Sequence, residues 1–229
     1  MQVETQRSYG SVSSPLWHDR AAYVIGGGPS LRGVNLEPLR GRAVIAVNDS
    51  ALRLPWASVL FSLDREWVRN RSSDIEKFEG EKYLAVDPEE LGYINGVTYL
   101  QRCRDPGLSE YPSMICMGGN SGYAAFNVAF LKQTKMIFLL GFDFKCGEDQ
   151  ASHWYDKYEW WTSEAARYWP RWAKHFSTAL PQLRKHGVSV FNCSMDSRIS
   201  AFPKIPVDDI LNTKEAWYVD ILRKSRIKY

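Results

Sequence analysis

Tyr23-Val24-Ile25-Gly26-Gly27-Gly28-Pro29-Ser30-Leu31 is a short β-rich apolar run that stops at three glycines, followed by Pro and Ser. Glycine permits a tight turn and close backbone approach to a ligand. Pro29 suits the first turn of a helix, where its missing N–H costs nothing. A strand, a glycine turn and a helix start, in that order, open nucleotide-handling α/β folds. The free amides of such a helix start form a site for a phosphate or carboxylate. The standard fingerprints are absent: a dinucleotide site needs a further Gly where Leu31 stands, and a P-loop needs Gly-Lys-Ser/Thr. On this stretch alone, a βα turn with no ligand remains the alternative.

Further apolar runs follow at Ala43–Val47, Val59–Ser62, Lys82–Val86, Val97–Leu100, Met136–Leu140 and Ser189–Phe191, with Ala22–Ile25 as the first of the series. They alternate with helical stretches, which is the pattern of a parallel sheet. Several end in small or polar residues, at the carboxyl ends of strands where open α/β sheets bind ligands. The fold expected over 21–212 is therefore a Rossmann-like α/β domain, with a mainly parallel sheet and helices on both faces. A loose, polar, Ser-rich arm is expected over 1–20. A basic helix or tail is expected over 213–229, where Lys214, Arg223, Lys224, Arg226 and Lys228 outweigh Glu215 and Asp220.

The chain of 229 residues is long enough to bury one full-sized core, and its net charge of +3 does not by itself call for nucleic acid. Cys103, Cys116, Cys146 and Cys193 are scattered, with no CxxC pair and no metal-ligand spacing. They read as free thiols in a reducing compartment. Met1–Ser14 is polar and lacks the apolar core of a signal peptide. No apolar run approaches the roughly 20 residues that span a bilayer. The expected location is cytoplasmic.

Residues 145–176 stand apart. Trp154, Tyr155, Tyr158, Trp160, Trp161, Tyr168, Trp169 and Trp172 are interleaved with charges. Connections in α/β domains are short, so a long aromatic insert reads as a lid or acceptor-binding element. The alternative is that these rings pack against the sheet as core. Thr162 to Lys185 has helical character, with Pro170 and Pro181 expected to interrupt or kink it.

Polar groups gather at the strand ends. Asn48, after the second strand, suits a ribose or base, or else an Asx turn or helix cap. Asp64, after the third, suits a sugar hydroxyl or a metal, or caps a helix starting near Arg65. Gly118-Gly119-Asn120-Ser121-Gly122 precedes a helical run from Tyr123 to Lys132 and forms a second glycine-rich helix start able to offer amides to an anion. The run Met136–Leu140 has the continuous apolarity of a central strand, and it ends at Gly141-Phe142-Asp143. Asp143 orients a ligand or catalytic partner, or caps its own loop. His153, close to that strand end and inside the aromatic insert, is suited to acid–base work near neutrality. Asn192 and Ser194 follow the last strand.

These segments in this order resemble the bacterial sialyltransferases of glycosyltransferase family 42: Gly26-Gly27-Gly28-Pro29-Ser30-Leu31, Asn48, Asn120-Ser121-Gly122, Gly141-Phe142-Asp143, Ser152-His153-Trp154 and Asn192-Cys193-Ser194. They also resemble the related "domain of unknown function 115" proteins, which include hydroxymethylpterin pyrophosphokinase-like enzymes. The match covers roughly residues 22–211. The resemblance implies a metal-independent glycosyltransferase needing no cofactor besides its nucleotide-sugar co-substrate. It assigns Gly28, Pro29, Ser30, Asn48, Ser121 and Gly122 to the donor and His153 to catalysis. From their own places at strand ends and glycine turns, Gly26, Gly27, Asp64, Asn120, Asn192 and Ser194 are expected beside the donor, and Asp143 beside His153 in catalysis. From the aromatic insert, Trp154, Tyr155, Tyr158 and Trp161 are expected to meet the acceptor.

The chain departs from the sialyltransferase pattern in its all-Gly turn. Tyr155 and Tyr158 are also on the other side of the His from the tyrosines that assist the leaving phosphate there. A nucleotide-activated sugar other than CMP-sialic acid is therefore expected, with a glycan, a small molecule or modified nucleic acid as acceptor. The compact form suits a phage or bacterial genome. Two rivals remain on the sequence: a Mg-dependent diphosphate transferase using Asp64 and Asp143, and a non-catalytic nucleotide- or nucleic-acid-binding protein.

Overall fold

A computed structural model of the protein describes residues 9–13, 15–18, 20–148, 151–155 and 163–213. In chain order its strands are β1 (Ala21–Ile25), β2 (Ala43–Val47), β3 (Val59–Ser62), β4 (Glu81–Leu84), β5 (Val97–Tyr99), β6 (Gln101–Cys103), β7 (Met114–Cys116), β8 (Met136–Leu140) and β9 (Ser189–Asn192). The helices are α1 (Asp49–Arg53), α2 (Arg65–Lys77), α3 (Pro88–Leu91), α4 (Ser121–Leu131), α5 (Trp169–His175), α6 (Leu180–His186) and α7 (Val207–Leu211).

Every apolar run read from the sequence is a strand of one seven-stranded sheet, in the order β5-β4-β3-β2-β1-β8-β9. All its pairings are parallel. All residues of β1, β2 and β8 are buried, because helices cover both faces of the sheet. Alternate side chains divide between two cores. Val24, Ile45, Phe61 and Leu139 face α4 and Phe176, while Tyr23, Ile25, Val44, Leu60 and Phe138 face Leu31, Leu39, Trp67 and Ile75. The chain winds outward from β1 to β5 and then returns to place β8 on the other side of β1. The strand order therefore reverses between β1 and β8, and a crevice opens at their carboxyl ends.

Helix α4 supports that crevice from beneath. All of its residues except Gly122 are buried. Within it Asn127 is fully buried and works as a polar bolt. Its Oδ1 accepts from the Ser109 and Cys116 amides at 2.9 and 2.8 Å, and its Nδ2 donates to Ser109 O at 3.0 Å. This ties α4 to the small parallel sheet of β6 and β7, which the sequence did not reveal. Those strands are three residues each and partly exposed, too short to carry a periodic signal.

The helical stretch after residue 162 is broken, as its prolines suggest. Residues 163–168 form a 3₁₀ helix, and α5 and α6 follow as separate helices with Pro170 and Pro181 in their first turns.

The arm expected to be loose is docked over residues 9–13 and 15–17. Gly10 N–H donates to Tyr99 O at 3.0 Å, Val12 N–H to Pro112 O at 2.8 Å and Trp17 N–H to Lys132 O at 2.7 Å. The anchor is Lys132, whose side chain is fully buried at the end of α4. Its ammonium donates to both Glu81 carboxylate oxygens at 2.7 Å and to Ser13 O at 2.7 Å. It also lies 5.5 Å from the Trp17 ring centre and 5.6 Å from that of Tyr83. A buried ammonium is tolerated only when its hydrogens find acceptors, so the arm completes the cage.

Lys132→Met keeps the apolar stem but removes the cation paired with Glu81 and the donor to the Ser13 carbonyl. It is expected to lower the unfolding free energy by about 3 kcal/mol in urea titration. An unchanged midpoint would contradict this account of the arm.

Candidate active site

The crevice between the ends of β1 and β8 is a cleft of about 430 Å³. Among the residues expected to hold a ligand, Gly26, Gly27, Gly28, Asn48, Asp64, Asn120, Ser121, Gly122, Asp143, His153 and Tyr155 line it. The topology therefore collects groups that are far apart in the chain.

The glycine turn after β1 is built by contact with the protein itself. None of Gly26, Gly27 or Gly28 has a positive φ. Space is what demands glycine here. A Cβ on Gly28 would stand 1.9 Å from Asp143 Oδ2, and one on Gly26 would stand 2.7 Å from Gly141 O. On Gly27 it would meet Tyr155 OH at 2.7 Å and His153 Cδ2 at 2.8 Å. Two backbone bonds close the turn onto β8: Gly26 N–H donates to Leu140 O and Gly28 N–H to Gly141 O, both at 2.8 Å.

Pro29–Leu31 is a short 3₁₀ helix, and an anion does sit at its start. That anion is the protein's own. The Ser30 hydroxyl donates to Asp143 Oδ2 at 2.8 Å, and the Ser30 amide bonds the same carboxylate. Pro29 and Ser30, expected in the donor site, do not line the cleft. Asn192 and Ser194 do not line it either, because both are fully buried behind Asp143. Ser194 Oγ bonds Ser30 Oγ at 2.9 Å and accepts from Phe142 N–H at 3.1 Å, while Asn192 Oδ1 accepts from Ser194 N–H at 3.1 Å. These groups brace Asp143 and the glycine turn from within.

Burial raises the Asp143 carboxyl above the ordinary Asp range, against the opposing pull of the Ser30 hydroxyl and amide, Ser194 and Lys145.

The second helix start is open to the cleft. Asn120 caps α4 by accepting from Tyr123 N–H at 2.9 Å, which leaves the Ser121 and Gly122 amides at the free end of an eleven-residue helix. The Ser121 hydroxyl accepts from Leu63 N–H at 3.2 Å and so ties this end to β3. Gly118 and Gly119 turn the chain with φ of +52° and +88°, and a Cβ on Gly119 would lie 2.6 Å from Trp172 Nε1.

Asn48 holds φ +52° with ψ −131°, a conformation that costs on the order of 1–3 kcal/mol outside glycine. Its amide and carbonyl are fixed to Phe61 O and Ala51 N–H at 3.1 and 2.9 Å, while its buried Oδ1 has no partner among the described residues. Strain and an unmet acceptor thus coincide at the cleft wall. Asp64 caps α2 through Trp67 N–H at 3.1 Å and lines the cleft as well. Among the described residues no three His, Cys, Asp or Glu side chains come together as metal ligands would.

His153 sits over the glycine turn. Its Nδ1 is 2.8 Å from Ser152 Oγ, and its ring stacks on Tyr155 at 5.1 Å between centres. Trp154, expected at the acceptor as part of the aromatic insert, does not line the cleft. Its backbone N–H donates to Gly27 O at 3.0 Å, and its indole N–H reaches Gly26 O and Ser50 Oγ, each at 3.2 Å. Tyr158 and Trp161 lie outside the described residues, as do 214–229. Trp169 and Trp172, one turn apart on α5, line the cleft mouth. Their three-residue spacing in the aromatic insert was the signal that could have selected them.

No protein-family model matches this chain, and no curated protein resembles it in sequence. Among solved structures, a MAf glycosyltransferase from Magnetospirillum magneticum AMB-1 superposes with a TM-score of 0.59 at 14% identity, covering 94% of this chain and 38% of that one. The sialyltransferase CstII from Campylobacter jejuni, in complex with cytidine-5'-monophosphate, superposes with a TM-score of 0.50 at 13% identity, covering 86% of this chain and 88% of that one. The fold is thus one that glycosyltransferases use. The chain spans well under half the length of the MAf protein.

Gly28→Ala is expected to unfold or strongly destabilise the protein, since Asp143 and the Gly141 carbonyl both block the new methyl. Gly27→Ala meets only the outer atoms of His153 and Tyr155, so it should fold near wild-type stability with those two rings displaced. Circular dichroism melts of the pair test this, and equal losses would contradict it.

A second expectation concerns pH. A raised folded-state pKa means the folded protein takes up the Asp143 proton more readily than the unfolded chain. The contribution is fully present below about pH 3.9 and is lost as pH rises through the folded value. Relative to Asp143→Asn, the wild type should therefore gain stability as pH falls from neutrality toward about 4. A flat or opposite trend in urea titrations would overturn the assignment.

Proposed function

We propose that this protein transfers a sugar from a nucleotide-activated donor to an acceptor hydroxyl. The observation that carries the reading is the convergence, in one switch-point cleft, of a free helix N-terminus, the unpartnered Asn48 oxygen and the His153 imidazole. The glycosyltransferase fold of its structural neighbours supports the same class of chemistry.

The Ser121 and Gly122 amides receive the donor phosphate, where the positive end of α4 and its N–H groups favour negative charge. Asn48 reads the nucleoside. The acceptor oxygen attacks the anomeric carbon and forms the new glycosidic bond. The bond from that carbon to the phosphate oxygen breaks, and its electron pair leaves with the nucleotide. The His153 imidazole takes the acceptor proton as the oxygen attacks. The charge that develops on the departing phosphate is met by amides already in place, so this reading calls for no metal. Asp143 acts through Ser30 as a positioning residue for the glycine turn, and Trp169 and Trp172 give the sugar or base an aromatic wall.

The test is nucleotide release from a panel of CMP-, UDP-, GDP- and ADP-sugars, followed by chromatography. One donor should be hydrolysed slowly, and faster with an acceptor present. His153→Ala should lower that turnover by about 10²–10⁴-fold while leaving nucleotide binding intact. Release from none of the donors, or full activity in His153→Ala, would refute the proposal.

A further inference from the structure

Four cysteines that look scattered in the sequence are not all scattered in the fold. Cys103 and Cys116 are register partners in the small parallel sheet. Their sulfurs stand 3.3 Å apart, with the Cys116 thiol donating to Cys103 Sγ. Cys103 Sγ in turn donates to Asp105 Oδ2 at 3.3 Å. Neighbouring strands lie about 4.8 Å apart, inside the roughly 4.4–6.8 Å Cα separation that a disulfide bridges without backbone rearrangement. The two thiols also differ in access. Cys116 is buried, whereas Cys103 is partly exposed and sits between the exposed Arg102 and Arg104.

We propose that Cys103 and Cys116 form a dithiol site that an anionic small-molecule disulfide, of the glutathione disulfide class, converts to an internal disulfide, altering the loop that opens α4. Arg102 and Arg104 draw the anionic disulfide to the exposed thiol. Cys103 gives up its proton to solvent and attacks one sulfur of the small disulfide, whose S–S bond breaks to form a mixed disulfide and expel one thiolate, which is then protonated from solvent. Cys116 then attacks Cys103 Sγ, its proton passing to solvent, and the second small thiolate leaves. Two thiols are oxidised and one small disulfide is reduced to two thiols, so electrons and protons balance. Burial first, and the neighbouring thiol second, push the Cys116 thiol up to about 12, so the second step is the slower one and quickens as pH rises.

The consequence follows from connectivity. The chain leaves β7 at Cys116 and passes through Met117 into Gly118 and Gly119, and Met117 N–H is held by Cys103 O at 3.2 Å. Closing the sulfurs from 3.3 Å to a bond of about 2.05 Å draws β6 toward β7 and pulls on the turn that presents the Ser121 and Gly122 amides. The dithiol site stands whether or not the cleft binds a nucleotide.

The test treats the full chain with glutathione disulfide and follows intact mass, peptide mapping and amide hydrogen exchange. A protein carrying one glutathionyl group should appear first, then a species short of two hydrogens with Cys103 linked to Cys116, reversed by dithiothreitol. Cys103→Ser should abolish both species, and Cys146→Ser should change neither. Exchange at residues 118–122 should differ severalfold between the oxidised and reduced forms. A mixed disulfide that never resolves, or a linkage to another cysteine, would overturn the site. Equal exchange at residues 118–122 in the two forms would overturn its connection to the loop. Cys116→Ser, if it folds, should stop at the mixed disulfide, and an internal disulfide formed in that variant would refute the pairing.

Discussion

The carboxylate of Asp143, closed against the backbone of Gly28, is the constraint on which the cleft depends. It joins the ends of the two strands between which the sheet reverses direction. A Cβ at Gly28 would lie 1.9 Å from that carboxylate, far inside van der Waals contact, and a side chain at Gly141, where φ is +71°, would strike Leu31 and Gly26. The carboxylate is held in place because Ser30 supplies two donors to it and Ser194 stands behind both. The anion-binding capacity of the first helix start is thereby consumed internally. Whatever negative charge a substrate brings has to be met elsewhere, and the free end of α4 faces the same space.

That division of labour explains why two glycine-rich starts occur in one chain. The first is a closure, with each glycine dictated by a neighbouring protein atom. The second is open, with Gly118 and Gly119 needed for their positive φ and with Asn120 capping Tyr123 alone. Asn48 completes the opposite wall in a strained conformation that its two backbone bonds enforce. Strain of this kind persists where surrounding structure over-determines it, and such positions concentrate at functional sites.

Much of this arrangement was legible in the sequence because parallel strands buried on both faces must be continuously apolar, and their ends must turn polar. Met136–Leu140 followed by Gly-Phe-Asp is an example: strand, turn and carboxylate all stand where the pattern put them. What stayed hidden depends on long-range contact. Local sequence could not distinguish a glycine that admits a ligand from one that admits Asp143. Asn192 and Ser194 read as ligand-facing because they follow a strand, yet their bonds run backward into the protein. The docking of residues 9–13 and 15–17 uses backbone bonds and a buried ammonium from far along the chain, and the Cys103–Cys116 pairing exists only once two three-residue strands are in register. None of these leaves a periodicity to read.

The central claim, that the β1/β8 cleft is a nucleotide site read by Asn48, is tested most directly by calorimetric titration of CMP, UMP, UDP, GDP and ADP into the wild type and into Asn48→Ala. One nucleotide should bind the wild type without added metal, and the alanine variant should bind it about tenfold more weakly, the loss of roughly one hydrogen bond at about 1.4 kcal/mol. Binding of none of the five, or equal binding by both proteins, would contradict the account.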